Sequence, residues 1–380
     1  RDFLYAVGDL SPVLTRPGTA ADSARPRLVR RLLHLKPNIY VLDDCFRLPP
    51  DQPPVRWTLG SRISMTASGD RRCFSGGDQE LGEIAGVDRA IEIARVHGVT
   101  VATFGDMVKV PSSYSSLARE KSTGMRLEVV YSPLDALEFA AVNQDVQVMF
   151  LSVGFETTAP TEAVAVRRAR ERNILNFSIL CGNKLTPPAV KALLDAGETR
   201  IDGFILPGHV SAIIGVEPWR FVAESYHKPC VVAGFESYDL ITSTINLVRM
   251  IGEQRNVVEN GYARVVRDGG NPKAREIMYD VFEECEAHWR GIGVIPGSGL
   301  ALRDGYAGFD AARRFPVDPP APRQHPGCRC GDLLRGLIIP TGCGLFGTVC
   351  TPENPIGSCM VSSEGACAAH YTYGRYRTAA

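Results

Sequence analysis

The sequence has no surplus of either charge: 42 Lys and Arg face 42 Asp and Glu, for a formal net charge of +0 over 380 residues. A chain so balanced carries neither a basic field to hold a phosphate backbone nor an acidic tail, so nucleic acid is not an expected partner. It also lacks any apolar run near the ~18 to 20 residues that cross a bilayer, and no block near Arg1 has the layout of a signal peptide. No membrane partner is expected, and the expected location is cytoplasmic. The hydrophobic fraction of 44% against 22% charged excludes wholesale disorder and leaves enough apolar material for a buried core. At this length two to three domains are expected.

From about Asp88 one theme repeats: an apolar, β-branched run, a Gly or Pro turn, then an amphipathic segment. That alternation predicts an α/β fold with parallel strands. Predicted strands cover 99–103, 127–131, 146–153, 176–180, 203–206 and 230–233; predicted helices cover 88–97, 133–143, 160–172 and 187–195, with another after Ser237 using Ile241, Ile245 and Val248. Ser132-Pro133 reads as a cap followed by a first-turn proline. A further helix is expected over 274–289. The two strand ends Gly154-Phe-Glu156 and Gly234-Phe-Glu236 resemble each other, at the carboxyl ends where open α/β sheets place ligands. Before Asp88 only 28–35 looks helical, and Pro37-Asn-Ile-Tyr-Val-Leu42 is a short strand candidate.

Six of the eleven cysteines, Cys328, Cys330, Cys343, Cys350, Cys359 and Cys367, fall in the last 53 positions. Without a secretory signal, such density points to metal or redox chemistry rather than to disulfide staples. Soft thiolates in Gly- and Pro-rich loops suit an iron–sulfur cluster, and six cysteines offer four ligands and a pair. A structural zinc site is an alternative, although the only close pair is Cys328 with Cys330. Unligated core cysteines are a third reading.

The motifs Thr103-Phe-Gly-Asp-Met107, Tyr131-Ser-Pro-Leu-Asp-Ala136, Gly154-Phe-Glu-Thr-Thr-Ala-Pro160, Pro207-Gly-His-Val-Ser211 and Trp289-Arg-Gly-Ile-Gly293 precede the tail Cys350-Thr-Pro-Glu-Asn-Pro-Ile-Gly-Ser-Cys359-Met-Val-Ser-Ser-Glu-Gly-Ala-Cys367. Together they resemble the HypD family of nickel–iron hydrogenase maturation, over about Asp88 to Tyr373. The resemblance implies two small parallel-sheet α/β domains, 1–127 and 128–248, and a C-terminal 4Fe-4S domain, 249–380. It implies cluster ligands at Cys328, Cys343, Cys350 and Cys367 and a redox-active pair at Cys330 and Cys359, an arrangement similar to ferredoxin–thioredoxin reductase. It further implies a scaffold on which iron receives two cyanides and one carbon monoxide, with a HypC-type chaperone, a HypE-type cyanide donor and the hydrogenase large-subunit precursor as partners. His209 is a candidate hydrogen-bond donor or proton shuttle, or a structural histidine at a strand end. Asp106 and Glu156 either orient a partner or cap and turn the backbone. A thiol oxidoreductase acting on another protein's disulfide, and a zinc-stabilised binding module, are the alternative functions.

The sequence departs from the family near its start. The motifs Cys-Gly-Gly-His-Thr-His and Gly-Pro-Gly-Cys-Pro-Val-Cys, which hold iron in the family, are absent. Cys45 and Cys73 are the cysteines of that region, without neighbouring histidines or a Cys-x-x-Cys pair, and are weak iron candidates. Residues 1–86 are rich in Arg, Pro and Ser without sustained hydrophobic period, as a shifted reading frame would give. They are expected not to form the family's domain, and the chain is expected not to load iron at the usual place.

Overall fold

The computed structural model describes residues 39–41, 84–197, 201–289, 293–319, 323, 325–334, 338–361 and 366–373. Cys45, Cys73 and the helix expected over 28–35 lie outside the described residues. Elements run in the order β1 (Ile39–Val41), α1 (Ile84–His97), β2 (Thr100–Thr103), α2 (Leu117–Ser122), β3 (Leu127–Val129), α3 (Pro133–Val142), β4 (Val148–Ser152), α4 (Ala159–Glu171), β5 (Phe177–Cys181) and α5 (Thr186–Asp195). They continue with β6 (Gly203–Pro207), α6 (Gly208–Ile214), β7 (Cys230–Ala233), α7 (Ser237–Gly252), β8 (Val258–Asn260), α8 (Pro272–Val281), β9 (Phe282–Trp289) and β10 (Gly293–Leu302). The tail adds two helices, α9 (Cys330–Leu334) and α10 (Ala366–Tyr373).

Two four-stranded sheets form, in the orders β3-β2-β4-β5 and β1-β6-β7-β8, and every pairing in them is parallel. The α/β alternation of the sequence therefore gives the expected parallel class. Period-two alternation assigns each side chain a layer. In the first sheet Val101, Met149, Leu151 and Leu180 face one core while Ala102, Phe150, Phe177 and Ile179 face another, under α3 and α4. In the second, Phe204, Leu206, Cys230 and Val232 join the former core, while Ile205, Val231 and Ala233 pack beneath α7. The two sheets thus share one continuous apolar layer.

Local signals act where physics places them. Ser132 Oγ accepts from the N–H of Leu134 (3.1 Å), with Pro133 in the first turn of α3. The strand candidate near Tyr40 forms β1 and pairs with β6. Strands on both sides of residues 127/128 lie in one sheet, and the chain changes sheets between Cys181 and Gly203. β8 completes the second sheet beyond residue 249, and α8 packs against α4.

The helix expected over 274–289 is corrected: α8 ends at Val281, and Phe282–Trp289 is a strand pairing antiparallel with β10. The reason is readable in the residues. Cys285, Ala287 and Trp289 turn inward and Glu286 and His288 outward, a period of two that a helix cannot satisfy. Among the described residues no helix is long and apolar enough to cross a membrane.

Candidate functional site

The tail folds around its cysteines as short turns rather than long elements. α9 begins at Cys330, a tight turn at Pro340–Gly342 delivers Cys343, a second at Ser358–Met360 carries Cys359, and α10 holds Cys367. Between Cys343 and Cys350 the chain doubles back. Gly347 adopts φ 70°, its N–H donates to the Cys350 carbonyl (3.0 Å), and the Cys350 N–H donates to Leu345 O (2.9 Å).

All six cysteines line one hollow that opens to solvent. Leu333, Ile338, Leu345 and Phe346 supply much of its apolar wall, and Phe346 is propped edge-on by His370 and Tyr371 at ring distances of 5.6 and 6.2 Å. Cys350, Cys359 and Cys367 are buried, while Cys328, Cys330 and Cys343 are half-buried. Cys359 Sγ lies 3.3 Å from Cys367 Sγ and 3.5 Å from Cys330 Sγ, both longer than the ~2.05 Å of a disulfide bond. The N–H of Ile356 donates to Cys350 Sγ at 3.3 Å. Gly357 closes over the sulfurs, and a Cβ there would stand 2.8 Å from Cys328 Sγ and 3.7 Å from Cys359 Sγ. Among the described residues no group of three or more His, Cys, Asp or Glu side chains is arranged to hold a metal ion.

The other candidate residues lie elsewhere. His209, at the start of α6, packs at a tilt against Phe235 beyond β7 with ring centroids 3.7 Å apart, and burial holds its imidazole below its usual value. It does not line the cysteine hollow. Asp106 sits exposed in the first turn of a 3₁₀ segment, Gly105–Lys109. Glu156 is 1% exposed and caps α5: its carboxylate accepts the backbone N–H of Thr186 at 2.8 Å and the Thr186 hydroxyl at 2.6 Å. Burial raises it to about 7 against those two bonds.

Sequence reasoning missed a buried polar group at the carboxyl ends of β4 and β5, formed by Ser152, Glu162 and Asn183. A signal existed, because Glu162 interrupts an otherwise apolar helical face of Ala159, Ala163, Val166 and Ala169. It missed Gly357 as well, whose role depends on how the chain folds back.

Residues 82–374 match the family model described as "HypD: Hydrogenase formation hypA family". The hydrogenase maturation factor HypD of Rhizobium leguminosarum bv. viciae is 47% identical over 302 residues, covering 77% of this chain and 78% of the relative. That of Azotobacter vinelandii is 44% identical over 303 residues, covering 78% and 80%. That of Escherichia coli K12 is 43% identical over 291 residues, covering 76% and 77%. This chain belongs to the HypD family of hydrogenase maturation factors.

Proposed function

We propose that this chain acts as a redox-capable scaffold in the assembly of the hydrogenase iron centre, where iron acquires two cyanides and one carbon monoxide. Its partners on this reading are a HypC-type chaperone, a HypE-type cyanide donor and the hydrogenase large-subunit precursor. The coarser role, hydrogenase maturation, follows from family membership. A cytoplasmic location, where thiols stay reduced, suits the chemistry.

One observation carries this reading: six cysteines from the loops, turns and short helices of the tail line one hollow. The residues fit a 4Fe-4S cluster. Such a cluster spreads its thiolates around a volume rather than one point, and here bulk is withheld at Gly357 while an N–H is offered at Cys350 Sγ. Cys328, Cys343, Cys350 and Cys367 would hold it. When bound, the cluster supplies electrons one at a time. Cys330 and Cys359, the pair that the family likeness implies, stand 3.5 Å apart, with Cys367 still nearer to Cys359 at 3.3 Å; closing the Cys330–Cys359 disulfide would release two electrons and two protons, and reduction reverses this. Leu333, Ile338, Leu345 and Phe346 wall that side of the hollow with apolar atoms, leaving Cys359 buried and Cys330 half-buried.

A second reading, a thiol oxidoreductase serving another protein's disulfide, draws on the same Cys330–Cys359 approach and on the missing N-terminal iron motifs. The deciding experiment is anaerobic purification of the full chain with a HypC-type partner, then iron, zinc and sulfide quantitation and an infrared scan for cyanide and carbonyl stretches. Four irons with sulfide support the cluster. Zinc without sulfide rejects it. Cyanide and carbonyl bands support the scaffold role and assign iron loading to Cys45, Cys73 or another site. A cluster without such bands and without HypC binding favours the oxidoreductase.

A further inference from the structure

The first turn of α4 places an acid on a face whose other members, Ala159, Ala163, Val166 and Ala169, are fully buried. Glu162 is itself 0% exposed. Its Oε2 lies 2.7 Å from Ser152 Oγ at the end of β4 and 2.5 Å from Asn183 Nδ2 just past β5. Ser152 Oγ in turn lies 2.5 Å from Asn183 Oδ1, so the three side chains close a ring. The other carboxyl oxygen, Oε1, is buried without a hydrogen-bond partner.

Each of the three contacts needs one hydrogen between its heavy atoms. The Ser152 hydroxyl supplies one and the Asn183 amide supplies one. If Glu162 were ionised, the third contact would press two acceptor oxygens together at hydrogen-bond distance. Turning the Asn183 amide over does not remove the deficit: its nitrogen then serves Ser152, and its oxygen faces Glu162 Oε2 instead. In either orientation the ring closes only when the carboxyl group brings its own hydrogen. The orphaned Oε1 agrees, because a buried carbonyl oxygen without a donor costs far less than an unpartnered carboxylate oxygen.

We infer that Glu162 is a proton-binding site, held in the folded protein as a neutral carboxylic acid that donates to Ser152 and accepts from Asn183. At Glu156, by contrast, each oxygen receives a hydrogen from Thr186, so its contacts close without a hydrogen of its own. The electrostatics around Glu162 agree with the hydrogen count: burial raises it to about 7, against the bonds from Ser152 and Asn183. Cys181 on β5 is the titratable neighbour that senses Glu162, and its thiol is pushed up mainly by its own burial. Charges on the helices packed against α4 are engaged elsewhere. Glu138 on α3 pairs with Arg172, and Asp280 on α8 meets Arg167 and Tyr306. Asp135, Lys273, Arg275 and Glu276 on the same helices are exposed.

The sign follows. A carboxyl group raised above its ordinary 4.5 gives stability that is complete below that value and is lost as pH climbs through about 7. The test is unfolding of the full chain between pH 5 and pH 8, wild type against E162Q. The glutamine amide donates to Ser152 and to a turned Asn183, so the ring stays closed without titrating. The variant is expected to lie within a few-fold of wild type at pH 5 and to lose stability with pH by one proton less. At pH 8 its folding constant should exceed wild type on the order of a hundredfold. An unchanged slope overturns the inference. Should E162Q fail to fold, infrared spectra of E156Q carrying ¹³C-labelled glutamate provide the second test. A protonated carboxyl band at pH 6 is expected, and its absence overturns the inference.

Discussion

Gly357 sits against Cys328 so closely that a methyl group on its Cα would stand 2.8 Å from the sulfur. Real Cβ atoms do not occupy such a distance, so in G357A either Cys328 Sγ or the backbone at residue 357 must shift. We expect G357A, purified anaerobically, to retain several-fold less iron and sulfide than wild type. G344A serves as the control, since a Cβ there meets nothing within 4 Å. Equal iron and sulfide in all three proteins would remove Cys328 from the ligand set.

Cys330 and Cys359 are separable from the proposed ligands by substitution. C330S and C359S should keep the visible absorption of a cluster, yet lose the pair of thiols that closes into a disulfide on oxidation. Thiol titration before and after mild oxidation, read beside the absorption spectrum, checks this. Loss of the absorption in either variant would move that cysteine among the ligands.

Glu156 caps α5 from the loop after β4. E156A strands the buried N–H and hydroxyl of Thr186 and is expected to destabilise the fold by about 1 to 3 kcal/mol, whereas E156Q keeps an acceptor and costs less. Because burial raises Glu156 from 4.5 to about 7, its contribution is whole below about pH 4.5 and fades as pH rises through 7. Wild type should therefore lose on the order of 3 kcal/mol through this residue by pH 8, and E156Q should not. Denaturant midpoints across that range measure both effects.

Phe150 lies in the middle of β4, fully buried, with the Phe104 ring edge-on at 5.4 Å. F150A empties the layer beneath α3 and α4 and should cost about 3 to 5 kcal/mol, seen as a lowered denaturant midpoint. F150L should cost clearly less.

Much of the body is legible in the sequence because each strand answers to two apolar layers. Val148–Ser152 is buried at every position, and an unbroken apolar run is what such burial demands. Ser132 and Pro133 announced the start of α3 for equally local reasons. β9 was not announced, because Glu283 and Glu284 break its alternation before Cys285, Ala287 and Trp289 restore it. The cysteines of the candidate site could be named from spacing and family likeness. Their convergence on one hollow, Gly357's approach to Cys328 and the ring around Glu162 arise only when segments far apart in the chain meet.

The cysteine hollow has its own small apolar nucleus: Leu333, Met360, Ala366 and Ala368 with Cys350, Cys359 and Cys367, distinct from the layers shared by the sheets. Seven buried residues, three of them cysteines, make a poor foundation for independent order. A cluster held there, as proposed, would be the keystone of the tail, since binding free energy in such a segment is folding free energy. Melting should accordingly split into two steps. A chelator would shift the tail's transition and leave the sheets' transition where it was, so the tail is a fuse that can blow without taking down the body that carries it.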